Sequence, residues 1–221
     1  MRRTYSPFPL QRAMSEAQQR TRFYPDGRIR EKAQLLRGKL DGETICYGPD
    51  GRITCRAPFK EGMLEGETIL YDDVGNIGGK LHYRNGQLNG PACVYVDQLP
   101  RWKAFFKDGK QDGEAVLYDE TGRIRAKLNY KGGLLEGQSS WFDENQRATR
   151  KSVYQFGKLH GPTAEYYPNG KVRRVMNYRD GLLDGEVLAY GEDGKLREKL
   201  YYLDGQLTPA PKAPTAGARG Q

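Results

Sequence analysis

Histidine, cysteine and long apolar runs are all scarce in this 221-residue chain. The two histidines, His82 and His160, lie about three repeats apart in the periodic pattern described below, so they cannot pair at one site. No nucleophile elbow, phosphate-binding loop or H-E-x-x-H helix motif accompanies them, which leaves no catalytic constellation. The three cysteines, Cys46, Cys55 and Cys93, are an odd set without C-x-x-C spacing, which argues against a disulfide scaffold or a zinc site. No run of 18 apolar residues occurs, so no transmembrane helix is expected. The basic start Met1-Arg2-Arg3 lacks the apolar stretch of a secretory signal, and a cytoplasmic location is the expectation. Apolar residues make up only 37% of the chain, too few for a thick core, whereas 28 glycines and 15 tyrosines suit many short strands joined by tight turns.

The formal charge of +8 is concentrated outside the periodic body. Residues 1–22 carry +4 and residues 209–221 carry +2, which leaves +2 for residues 23–208. Duplex-binding domains place their positive charge in the folded body, so nucleic acid is not an expected partner.

A 24-residue period organises that body. The pair G-x-x-x-G recurs at Gly38/Gly42, Gly62/Gly66, Gly86/Gly90, Gly109/Gly113, Gly133/Gly137, Gly157/Gly161 and Gly181/Gly185. A second glycine series falls between these pairs, with Leu99 and Gln146 in its two vacant slots. Two aromatic columns keep the beat: Phe23, Tyr47, Tyr71, Tyr95, Tyr118, Phe142, Tyr166 and Tyr190, then Leu35, Phe59, Tyr83, Phe106, Tyr130, Tyr154, Tyr178 and Tyr202. Each repeat splits into two strand-length pieces with period-2 alternation, joined by turns such as Pro49-Asp50-Gly51.

The expected fold is all-β: about eight tandem 24-residue β-hairpin repeats forming one long twisted antiparallel sheet. One face would carry both aromatic columns together with Ile53, Ile77, Ile124, Val172 and Leu196, a bulge near Gly66 restoring the apolar parity. Residues 1–22 form an N-terminal arm, in which Leu10, Met14 and Ala17 have the spacing of a short cap helix over residues 9–21. Residues 23–208 are the repeat domain, and the Pro/Ala/Gly-rich residues 209–221 read as a disordered tail.

Blocks such as Glu165-Tyr166-Tyr167-Pro168-Asn169-Gly170-Lys171, followed by Asn177-Tyr178-Arg179-Asp180-Gly181-Leu182-Leu183-Asp184-Gly185, resemble the MORN-repeat variant found in tandem in bacterial proteins. Chains of this kind include the YwqK-type antitoxins, similar to immunity proteins of polymorphic toxins. The resemblance covers about residues 23–208 and implies a binding scaffold in a toxin–antitoxin pair. Repeat 4, one residue short, and repeat 6 depart from the pattern at the turn glycine.

Three features of the polar positions nominate partner-binding residues. A ladder of cations runs along the second strands: Lys32, Arg56, Lys80, Lys103, Lys127, Lys151 and Lys199, with Val175 in the remaining slot. Acidic residues precede the second glycine of many repeats, including Asp41, Glu65, Asp112, Glu136 and Asp184, and form an expected acidic rim. Phe105, Trp141 and Val153 are apolar in slots that are polar elsewhere, as interface anchors are. The leading expectation is a non-catalytic protein-binding scaffold that occludes a cognate toxin, without cofactor or metal. The alternatives are a membrane or phosphoinositide adaptor, which the lysine ladder would serve, and an architectural spacer.

Overall fold

The computed structural model describes residues 17–210. All regular structure in that range is β, and the chain divides into two compact units between Gly122 and Arg123. The first contains β1 (Ala17–Phe23), β2 (Ile29–Leu36), β3 (Lys39–Tyr47), β4 (Ile53–Lys60), β5 (Met63–Leu64), β6 (Gly66–Tyr71), β7 (Ile77–Arg84), β8 (Gln87–Val96), β9 (Leu99–Lys107), β10 (Lys110–Gln111) and β11 (Gly113–Tyr118). The second contains β12 (Ile124–Lys131), β13 (Leu134–Leu135), β14 (Gly137–Phe142), β15 (Ala148–Gln155), β16 (Lys158–Tyr166), β17 (Val172–Arg179), β18 (Leu182–Tyr190), β19 (Leu196–Leu203) and β20 (Gln206–Thr208). Within each unit successive long strands pair antiparallel, and the two-residue strands β5, β10 and β13 pair with the same long strand as the β6, β11 and β14 that follow them, so each unit is an open ladder of hairpins.

The array begins earlier than expected. Ala17–Phe23 is an extended strand in register with β2 from Ala17↔Leu36 to Arg22↔Glu31, so the cap helix is wrong over residues 17–21. Helical spacing of three apolar residues was outweighed by the unpaired edge of β2, which offers backbone partners to any extended segment beside it. Residues 1–16 and 211–221, including most of the expected arm and tail, lie outside the described residues.

The two aromatic columns occupy opposite faces, and register explains why. At the hairpin base, pairing passes from Ala57 toward Phe59↔Leu64 with two extra residues on the partner side of the Gly66 bulge. An even insertion preserves side-chain parity instead of shifting it. The second column (Phe59, Tyr83, Phe106 and their equivalents) therefore shares a face with Ala57, Leu81 and Ala104. At the hairpin tip the register slips by one, from Cys46↔Cys55 to Tyr47↔Ile53. An odd slip turns the Ile53-type residues over to the first tyrosine column and the lysines. Ring contacts agree: Lys32 Nζ lies 6.0 Å from the Tyr47 ring, Lys103 Nζ 5.6 Å from Tyr118 and Lys151 Nζ 5.8 Å from Tyr166.

The core of each unit is a zipper of mostly short side chains, with Leu81, Met176 and Val187 among them, down the middle of the other face. In the first unit Ala33, Thr44 and Ala57 oppose one another in turn, and Thr68, Leu81, Ala92 and Ala104 do the same. In the second unit the series is Ser139, Ser152, Thr163, Met176 and Val187. Ser152 is 0% exposed and Ala104 3%. The flanking aromatic column covers these short side chains, so a single-layer sheet still removes its central positions from water.

The hydroxyls of Thr44, Thr68, Ser139 and Thr163 are buried without a hydrogen-bond partner among the described residues. Each such group costs about 1–3 kcal/mol of lost hydration. Val187 fills the equivalent slot one repeat after Thr163. The substitution Thr163→Val is therefore expected to raise unfolding stability by about 1 kcal/mol, read as a higher urea midpoint at unchanged slope. A lower midpoint would show that the hydroxyl is satisfied.

Candidate interaction surface

On the lysine face the first unit holds an open groove of about 500 Å³ over repeats 3 to 5. Its floor is Pro91, Cys93 and Val116, and Tyr95, Tyr118 and Phe105 form its apolar walls. Lys80 and Lys103 stand over it beside Glu67 and Glu114. The hollow follows from repeat 4. Cys93 takes the slot that Ile69 and Val116 fill in neighbouring repeats, and Pro91 takes that of Glu67 and Glu114. A smaller residue leaves space and an imide ring removes a carboxylate, so the local surface becomes concave and apolar.

The tip of the same repeat is also shortened. Val96 pairs with Leu99 across a two-residue turn in which both Asp97 (φ 51°) and Gln98 (φ 63°) are left-handed. This is the I′ geometry that matches strand twist, here made without glycine. Repeat 6 meets its missing glycine differently. Gln146 takes a φ of 60°, and its side-chain amide exchanges hydrogen bonds with the Ile124 backbone, accepting from N–H at 3.2 Å and donating to C=O at 3.0 Å.

Several groove side chains are tied in place. The pKa of the Tyr95 hydroxyl is pushed up to about 12 by a hydrogen bond with the Cys93 thiol, reinforced by burial, and the group stays neutral. Lys80 pairs with Glu67 at 3.9 Å. Phe105 is 55% exposed, and it lies over Gly113, where a side chain's Cβ would sit 3.5 Å from Phe105 Cβ. The same column packs over the second glycine in other repeats: Pro58 over Gly66 and His82 over Gly90, each close enough to stand 3.2 Å from a Cβ added at that glycine. Those glycines also hold φ of 107° and 116°, which L side chains rarely adopt.

The sequence-nominated residues separate into distinct settings. Lys80, Lys103 and Phe105 meet at the groove. In the second unit Lys151 and Val153 share the lysine face, and Lys127 opposes Ser140 on it. Trp141 does not join them. It lies on the small-residue face, with the Arg150 guanidinium 4.8 Å from its ring and Tyr154 at 6.5 Å. Trp141 is paired with Ala126 and Arg150 and half-buried, so placing it in the outward row with Val153 is corrected by register.

The acidic positions hold the turns. Glu65 accepts the Asn85 N–H at 2.7 Å, Glu136 accepts Phe156 N–H at 2.8 Å and Asp41 accepts Glu61 N–H at 3.1 Å. Each donor is the left-handed residue of the following repeat's turn. Asp184 binds Arg179 and receives the Asp204 N–H at 3.4 Å. Asp112 donates its own N–H to the Phe105 carbonyl at 2.9 Å and so ties the bulge to the groove wall. A second series runs beside it: Gly62 N–H donates to Leu40 C=O, Gly86 to Leu64 and Gly109 to Leu88, and in the second unit Gly157 to Leu135, Gly181 to Leu159 and Gly205 to Leu183.

His82 packs over Gly90, and His160 Nδ1 lies 3.7 Å from Asp180 at a turn. No cluster of three or more His, Cys, Asp or Glu suited to a metal occurs among the described residues. No helix among them is long and apolar enough to cross a membrane.

Three segments, residues 111–131, 159–180 and 183–207, match the family described as MORN repeat variant. The segments 159–180 and 183–207 coincide with the paired strands β16–β17 and β18–β19, and residues 111–131 run from β10 through β12, so the chain carries MORN-type repeats there, in keeping with a repeat-based binding scaffold. No match is found among curated proteins. Among solved structures, a GtfA/B complex bound to UDP and GlcNAc is 16% identical over 49% of this chain, with a TM-score of 0.23. This chain covers only 22% of that one. A porin-like protein from Bacteroides uniformis is 8% identical, with 89% and 97% of the two chains covered and a TM-score of 0.20.

Proposed function

We propose that this protein is a non-catalytic scaffold that grips a protein partner in the repeat 3–5 groove, and that the partner is a toxin or effector whose active site it covers. The groove carries the reading: an apolar floor, an exposed Phe105 and charges of both signs around it are the composition of a protein-binding hot spot with a polar rim. The toxin assignment draws on the resemblance to YwqK-type antitoxins. The membrane alternative is weakened by how the cation ladder is engaged. Arg56 pairs with Glu43 at 3.3 Å, Lys80 with Glu67 and Lys199 with Glu186 at 2.7 Å, while Lys32, Lys103 and Lys151 lie over tyrosine rings. The carboxylate-paired cations attract an anionic bilayer less than free ones, whereas a lysine over a ring keeps its full charge.

A photo-crosslinking phenylalanine analogue at position 105 tests this in cells of the source organism. One dominant protein adduct is expected, absent when the analogue replaces Thr54, an exposed residue of β4 outside the groove. Lipid adducts, or none, would remove the scaffold reading. The toxin step has its own measurement: the crosslinked partner, expressed alone, should arrest growth, and co-expression of this chain should restore it. A harmless partner would reject the antitoxin role and leave the scaffold standing.

A further inference from the structure

The cysteines of repeat 2 are placed for chemistry that the groove does not use. Cys46 on β3 stands directly opposite Cys55 on β4. Directly opposed residues of an antiparallel pair have Cα atoms about 4.5–5.5 Å apart, inside the roughly 4.4–6.8 Å span of disulfides. Both thiols are free and only half-buried. Equivalent slots hold Leu70 and Gly79, Val94 and Trp102, and Ala189 and Glu198, so a thiol pair in register is particular to this hairpin. The pair lies on the small-residue face, opposite to the groove, whose own Cys93 is buried next to Tyr95.

We infer that Cys46 and Cys55 are a reversible oxidation site that closes a disulfide across β3 and β4 when a small-molecule disulfide serves as oxidant. While both thiols are reduced, burial and the hydrogen bond to Cys55 push the pKa of the Cys46 thiol up to about 12. Either half-buried sulfur can open the exchange as its thiolate, the attacking form. When Cys55 opens it, its sulfur attacks one sulfur of the oxidant RSSR and expels RS⁻, leaving a mixed disulfide on Cys55. Cys46 then attacks the Cys55 sulfur, expels the second RS⁻ and closes the bond. The two thiol protons pass to the two RS⁻ groups, so the protein loses two hydrogens and one RSSR becomes two RSH. The antiparallel register brings the second sulfur to the first without strand movement, which favours closure over a lasting mixed disulfide.

The full-length protein, incubated natively with glutathione disulfide, then unfolded and alkylated, reads the outcome. One alkylatable thiol in place of three is expected, at Cys93, with the intact mass lower by two hydrogens and the peptides bearing Cys46 and Cys55 linked. In Cys55→Ser the linked peptide and the two-hydrogen mass loss should both vanish under the same treatment. Three alkylatable thiols in the treated wild type would overturn the assignment. So would a glutathione adduct that persists on Cys55, or a disulfide found only between two chains and no longer formed when the oxidation is run at low protein concentration.

Discussion

Replacing Phe105 with aspartate is expected to lower partner affinity by about 30-fold or more, corresponding to the ~2 kcal/mol that marks a hot-spot side chain. The ring is over half exposed beside an apolar floor, and an aspartate would replace apolar contact surface over Pro91 and Val116 with a charge. Folding should change little, because Phe105 is 55% exposed and surface substitutions usually change stability by under about 0.5 kcal/mol. Isothermal titration with the crosslinked partner, alongside urea denaturation of the free variant, separates the two effects. Trp141→Ala is the matching control: it removes a ring from the small-residue face and should leave affinity within about threefold. The reverse ranking would assign binding to that face.

The second large effect concerns the zipper. Ala104 opposes Ala92 within a stack of small side chains and is 3% exposed. Ala104→Leu is expected to destabilise the protein by about 1–3 kcal/mol, because added methylenes must displace the covering aromatic column or spread the strands. Ala104→Gly should cost less, about 0.5–1 kcal/mol from backbone entropy alone. Urea denaturation reads both. If the leucine variant were neutral, the central positions would have room, and burial there would not be what holds the hairpins together.

Hairpins, their period and the all-β class were legible in the sequence because glycine and tyrosine recur wherever backbone conformation and strand alternation demand them. Face assignment was not. It depends on whether a bulge inserts one residue or two, and Gly66 announces a bulge without giving its count. With the one-residue slip at the hairpin tip equally silent in the sequence, that ambiguity put both aromatic columns on one face, and the tip slip alone set Trp141 beside Val153. The groove was half legible. Phe105 and the irregularity of repeat 4 stood out, whereas Cys93 and Pro91 pass unnoticed until each is compared with its column, where Ile69, Val116, Glu67 and Glu114 show what is missing. The carboxylates of Glu65 and Glu136 looked like a charged rim because sequence gives their charge but not the N–H twenty residues on that each one holds.

That amide-to-carbonyl series from each hairpin turn to the one before it also sets how such an array can lengthen. Gly62, Gly86 and Gly109 each hang from a leucine carbonyl of the preceding copy, so a copy inserted or removed whole finds the same hook on either side. A one-residue loss at the hooked end would break the chain of attachments, whereas at the free tip it is absorbed, as the two-residue turn at Asp97-Gln98 demonstrates. Growth by duplication in whole modules, with novelty arising at the tips, is the mode of change this backbone permits.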